Sequence, residues 1–210
     1  RDPIYFICNF VYAISLKHGL IKMKLREYQK AMVRAMHGNK NVIMMLSRQL
    51  GKTQVTAAYA AWLAFFTDSQ TILVVSNNKN GATEVMDRIR LVYDMLPKWM
   101  RPKLVIDNRQ EMKFDNNSRI VSRAAAANSG RGLSVSFLIC DELAFVDQKK
   151  QDDFWAAVYP TISTGGRTVV MSTPRGDTNK FYELWINANL KKNSFVPVMY
   201  KWDIDPERDE

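Results

Sequence analysis

Residues 41–66 read NVIMML, then SRQLGKT at 47–53, then QVTAAYAAWLAFF. The first run is six residues, mostly apolar, the length of a buried strand. From Thr53 to residue 66 the chain is rich in Ala and apolar nearly all round, which predicts a buried helix. The loop between them therefore leaves a strand's carboxyl end and enters a helix's amino terminus. There the first backbone N–H groups lack intrahelical partners and the helix dipole favours anions. Gly51 lets backbone approach a phosphate closely, Lys52 is a cation placed for the β/γ-phosphates, and the Thr53 hydroxyl suits Mg²⁺. One departure stands out: the usual pattern has Gly five residues before Gly51, and Leu46 is there.

A second apolar run, VSFLIC at 135–140, delivers Asp141 and Glu142 together at a strand end. Ligands of open α/β sheets sit at that edge. Adjacent residues at a strand end point apart, so Asp141 is expected to hold Mg²⁺ beside Thr53. Glu142 is expected to orient and deprotonate an attacking water. Either motif alone is weak evidence; the buried strand, the helix and the matching acidic strand end give the pair its weight.

Outward from these motifs, TILVVS at 71–76 and RTVVMS at 167–172 are further buried strands. Residues 25–37 and 178–189 read as helices. So does a segment with Val85, Ile89, Val92 and Leu96 on one face, ending near Pro97. Residues 103–106, 111–114 and 119–123 are short and partly alternating, separated by the turn-like DNR and DNNS clusters. They read as inserted antiparallel hairpins. Residues 195–202 are a last strand candidate. Apolar strands alternating with helices imply a mostly parallel sheet covered on both faces, in one domain.

The chain has 210 residues, 47% apolar and 24% charged, which suits one α/β domain that buries a sizeable core. Its formal charge of +9 is uneven. Residues 1–60 carry ten Lys/Arg against two acids, 61–140 eleven against seven, and 141–210 nine against twelve. A basic front half favours a phosphate-backbone partner. Cys8 and Cys140 make neither a disulfide framework nor a zinc site, pointing to a reducing compartment. Residues 4–16 are too short to span a bilayer, which takes ~20 apolar residues, and lack the flanks of a signal peptide. Their spacing predicts a helix over 3–18. His18 and His37 have no clustered partners and read as surface.

Four segments in order, LREYQ at 25–29, SRQLGKT at 47–53, LICDELAF at 138–145 and MSTPRG at 171–176, resemble the large terminase subunit of tailed phages. The similarity runs over roughly residues 3–202 and looks closest to the large contractile-tailed phages. The loop with Arg second and no leading Gly is a terminase variant, which accounts for Leu46. The resemblance implies a P-loop NTPase fold of the RecA/ASCE-like kind. It also implies the amino-terminal ATPase that drives double-stranded DNA into a preformed capsid, using ATP and Mg²⁺. Residues 1–40 would be amino-terminal helices with the adenine motif, 41–202 the ATPase core, and 203–210 the start of a linker. The family's nuclease domain is not recognisable in these residues, and the chain reads as an excised domain.

Carried over by residue, the resemblance assigns Tyr28 and Gln29 to adenine recognition and Ser47, Arg48, Gln49, Leu50, Gly51, Lys52 and Thr53 to the nucleotide. Arg48 matches an arginine that acts on the γ-phosphate, and Arg131 in GRGLS resembles a finger inserted by a neighbouring subunit. Ser172 and Thr173 match a motif coupling hydrolysis to motion; Arg175 is a phosphate contact or nothing. Implied partners are DNA, the portal protein, the small terminase subunit and further copies in a ring, in the host cytoplasm. Two rivals share parts of this pattern: a helicase-like DNA-dependent ATPase, and a nucleotide-dependent binding module with a degenerate site.

Overall fold

In the computed structural model, residues 2–15, 17–163 and 165–205 are described. The elements in chain order are α1 (Pro3–Phe10), β1 (Tyr12–Ser15), β2 (Gly19–Lys22), α2 (Glu27–Gly38), β3 (Asn41–Leu46), α3 (Lys52–Phe66), β4 (Thr71–Ser76) and α4 (Lys79–Met95). There follow β5 (Leu104–Asn108), β6 (Glu111–Phe114), β7 (Arg119–Ala124), β8 (Phe137–Asp141), α5 (Gln148–Ser163), β9 (Arg167–Ser172), α6 (Lys180–Asn189) and β10 (Val196–Tyr200).

Eight strands form one sheet in the order β10-β3-β9-β8-β4-β7-β6-β5. The six from β10 to β7 are parallel, and β6 and β5 extend that edge antiparallel. Because strand side chains alternate, each parallel strand feeds two cores. Val42, Met44, Ile72, Val74, Ile139 and Val169 face one way, in a core shared with α2, α3 and α4. Ile43, Leu73, Val75, Leu138, Cys140 and Val170 face the other, in a core shared with α5 and α6. Helix α3 is enclosed almost completely, with every residue from Gln54 to Phe65 buried, as its all-round apolar sequence requires. The expected mostly parallel sheet, covered on both faces, is what the chain forms.

One expectation is corrected. The helix over 3–18 ends at Phe10, and β1 and β2 form a separate antiparallel hairpin, Tyr12 opposite Lys22 and Ser15 opposite Gly19. Gly19, at φ 65°, adopts the left-handed turn conformation that glycine takes at no steric cost. The Met23 N–H donates to Val11 O at 2.8 Å, closing the hairpin's open end; residue 16 lies outside the described residues. The antiparallel hairpins expected over the middle of the chain are present as β5–β6 and β6–β7, and they extend the main sheet because β7 also pairs in parallel with β4 over six residues. Helix α5 was not among the expected elements. Its polar start QKKQDD and interior Pro160 hide it, while Phe154, Val158 and Ile162, four apart and buried, are its signal.

No helix among the described residues is long and apolar enough to cross a membrane. At the carboxyl side Asp205 is buried and lies 2.5 Å from Arg26; residues 206–210 lie outside the described set.

Candidate active site

Strand β9 lies between β3, which leads into the loop, and β8, which ends in Asp141. Its terminal Ser172 is therefore inserted between the loop and the acidic pair. All three strand ends meet at one edge because the strands are parallel.

The loop is shaped by backbone. Gln49 and Gly51 both have left-handed φ, 66° and 75°. Gly51 is needed twice over, since a Cβ there would also come 2.8 Å from Gln29 Nε2. Gln29 holds this arrangement: its Oε1 accepts from the Arg26 N–H at 3.1 Å, and its Nε2 donates to Leu50 O at 3.1 Å. The amide thus ties the start of α2 to the loop. Leu46, where the usual pattern has Gly, is fully buried core. Tyr28 is buried too, its ring centroid 5.7 Å from that of Tyr200.

Behind the loop the charged groups converge. Lys52 Nζ is 2.7 Å from Glu142 Oε1. The Thr53 hydroxyl donates to Asp141 Oδ2 at 3.1 Å. Glu142 has a left-handed backbone, φ 56° and ψ 41°, and its N–H donates to Met171 O at 2.8 Å. A non-glycine residue there is strained, and such strain collects at functional positions. Glu142 Oε2 is met by the Ser172 hydroxyl at 3.1 Å, the Thr173 N–H at 3.2 Å and the Thr173 hydroxyl at 3.3 Å. The single Ser172 hydrogen is shared with Thr173 O at 2.9 Å.

Asp141 is the most perturbed of these groups. Its Oδ1 is buried without a hydrogen-bond partner. Burial, then the neighbouring Glu142 charge, pushes its pKa up to about 6, against the lowering pull of Lys52 and the Thr53 hydroxyl. An orphaned carboxylate oxygen beside a hydroxyl is the oxygen donor set that a hard divalent cation such as Mg²⁺ takes.

The structure thus brings Gln29, Leu50, Gly51, Lys52, Thr53, Asp141, Glu142, Ser172 and Thr173 into one site, with Tyr28 packed beside it. Ser47 anchors the loop's first residue, its N–H donating to Tyr200 O at 3.1 Å. Arg48 and Gln49 are exposed on the loop. Arg131 is exposed beside Gly132 in the connection between β7 and β8. Arg175 lies over the Phe145 ring, 5.0 Å from its centroid.

Sequence reading missed what adjoins the loop. The β1–β2 hairpin, Leu25, Gln29, Gly51 and Gln54 line a cavity of about 1000 Å³.

Residues 43–209 match the family model described as terminase large subunit, T4likevirus-type, N-terminal. The fold is similar to that of the HK97 bacteriophage large terminase, at 20% identity and TM-score 0.79, covering 94% of this chain and 43% of that one. It is also similar to the Thermus phage P74-26 large terminase ATPase domain, at 22% identity and TM-score 0.71, covering 89% and 85%. A third likeness is the large terminase of a thermophilic bacteriophage in complex with ATP-gamma-S, at 14% identity and TM-score 0.64, covering 88% and 46%. The chain spans less than half the length of the first and third of these. The match over residues 43–209 makes this chain a member of the terminase large subunit family, in its amino-terminal part.

Proposed function

We propose that this domain hydrolyses ATP with Mg²⁺ and that the hydrolysis drives double-stranded viral DNA into a procapsid. The observation that carries the reading is the meeting of Lys52, Thr53, Asp141, Glu142, Ser172 and Thr173 at one sheet edge. A family relative in complex with ATP-gamma-S supports a nucleotide as the ligand.

The transition state of phosphoryl transfer spreads negative charge over the γ-phosphoryl oxygens. Lys52 leaves Glu142 to meet that charge. Glu142, still held on Oε2 by Ser172 and Thr173, then has Oε1 available to accept a proton from the attacking water. Asp141 and Thr53 would hold Mg²⁺, which when bound neutralises phosphate charge. An arginine supplies further charge and contributes on the order of 10³–10⁵ in rate. Arg48 does so from within the loop, or Arg131 from a neighbouring copy. Tyr28 and Gln29 sit where the adenine end would lie. The contacts of Ser172 and Thr173 with Glu142 make them the route from phosphate state to domain motion.

On this reading the whole chain is a single ATPase domain. Its partners are duplex DNA, the portal protein, the small terminase subunit and further copies of itself in a ring, in the host cytoplasm. Phosphate release measured with Mg²⁺, with and without duplex DNA, tests the proposal. Release that requires Mg²⁺ and Lys52 supports it; no release in either condition contradicts it.

A further inference from the structure

The chain from Tyr200 to Asp205 braces the phosphate loop at two points. Tyr200 O accepts the Ser47 N–H at 3.1 Å, at the loop's first residue. Further along, Asp205 Oδ2 accepts from Arg26 Nη1 at 2.5 Å. Arg26 is the N-cap of α2, and its N–H donates to Gln29 Oε1 at 3.1 Å. Gln29 Nε2 in turn donates to Leu50 O at 3.1 Å, on the far side of the loop. Ser47 is thus tied to this segment directly, and Leu50 is tied to it through the start of α2.

Gln49 lies between those two ties at φ 66°. A left-handed backbone is costly for a non-glycine residue and persists only where its surroundings fix it. The Gln29 amide is packed closely enough that a Cβ on Gly51 would come 2.8 Å from its Nε2, so a shift of the amide is felt along the loop. The Asp205 side chain is 7% exposed and that of Arg26 29%. A charge-assisted contact in such surroundings is strong, and removing the carboxylate leaves a part-buried guanidinium without that counter-charge. The guanidinium regains hydration only by moving, and the main chain of the same residue holds Gln29 Oε1.

We infer that Asp205 is a positioning residue for the nucleotide, which through Arg26 and Gln29 holds the phosphate loop in its binding shape. This rests on the nucleotide-binding reading above. Asp205 lies in none of the four segments that carry the family resemblance. Because the loop takes phosphates, its effect falls on the phosphate chain and is shared by ATP and inorganic tripolyphosphate.

The test is calorimetric binding of ATP and of inorganic tripolyphosphate to this chain and its variants, with urea unfolding of each alongside. Asp205→Ala is expected to weaken both ligands about tenfold, and Asp205→Glu, which keeps the charge, to restore both to within about threefold. Adding Asp205→Ala to Gln29→Ala should cause no loss beyond that of Gln29→Ala, since the two act in series. Asp205→Asn keeps the size and removes the charge, and carries the same expected loss if the alanine variant does not fold. Unchanged binding in a folded variant, even one of lower stability, would make the ion pair a support of the fold only and overturn the inference. A loss confined to ATP, or additive losses with Gln29→Ala, would overturn it as well. If the unmodified chain binds neither ligand, the nucleotide reading falls and takes this inference with it, whereas binding that no Asp205 variant alters removes the inference alone.

Discussion

Lys52 Nζ lies 2.7 Å from Glu142 Oε1, so the cation expected at the γ-phosphate and the carboxylate expected at the water hold each other. A triphosphate entering the loop, as proposed, would compete with Glu142 for Lys52. On the proposed reading, nucleotide binding would free the base in the same step that places the substrate. Lys52→Met should lower turnover by at least about a hundredfold, measured as phosphate release at saturating ATP. Turnover within a few-fold of normal would contradict a role for Lys52 at the phosphate.

Ser172 and Thr173 support Glu142 from the side opposite Lys52. Thr173→Val removes the hydroxyl but retains the backbone N–H. Ser172→Ala removes the other hydroxyl. Each is expected to reduce kcat by about 10- to 100-fold with ATP affinity changed by less than about threefold, because the contacts orient the base and not the substrate. A loss confined to affinity would assign these side chains to nucleotide binding instead.

Much of this was legible locally. Strands β3, β4 and β9 have the bounds their apolar runs suggested, and β8 begins two residues late. Continuous apolar runs of six residues have few alternatives inside a protein. The site's strand ends followed from that, since parallel strands present their carboxyl ends together. What was not legible depends on pairings distant in sequence. The β1–β2 hairpin needs Tyr12 to find Lys22, and local apolar content alone suggested a continued helix. The placement of β9 between β3 and β8 is a topological fact, and it is what sets Ser172 against Glu142. Arg26 and Asp205 are far apart in sequence, so no spacing rule joins them.

Asp141 makes stability depend on pH. Its folded pKa of about 6 lies above its ordinary value of 3.8, with burial the main cause. Between those values the native state keeps a proton that the unfolded chain has released, so stability falls as pH rises through that window. The cost is fully present above the folded value. In EDTA at about pH 8, Asp141→Asn should raise the unfolding free energy by on the order of 2 kcal/mol, and the gain should vanish near pH 4. Urea unfolding at the two pH values checks this, and a loss of stability at the higher pH would contradict it.

Cys140 is buried on β8, and burial followed by the Asp141 charge pushes its thiol pKa up. Cys8 is only partly buried. A thiolate-directed reagent should therefore leave Cys140 unmodified in the native chain and modify it in urea, read by mass spectrometry. Native modification of Cys140 at a rate matching Cys8 would contradict the buried position of that strand end.

The central claim is that Glu142 activates water in an otherwise complete nucleotide site. Glu142→Gln keeps the side chain's size and removes its basicity, so ATP should still bind while turnover stops. The direct measurement is single-turnover hydrolysis of bound ATP by this variant beside the unmodified chain. The account expects ATP retained intact on the variant, with hydrolysis lowered by at least about a thousandfold. Near-normal hydrolysis by Glu142→Gln would contradict it.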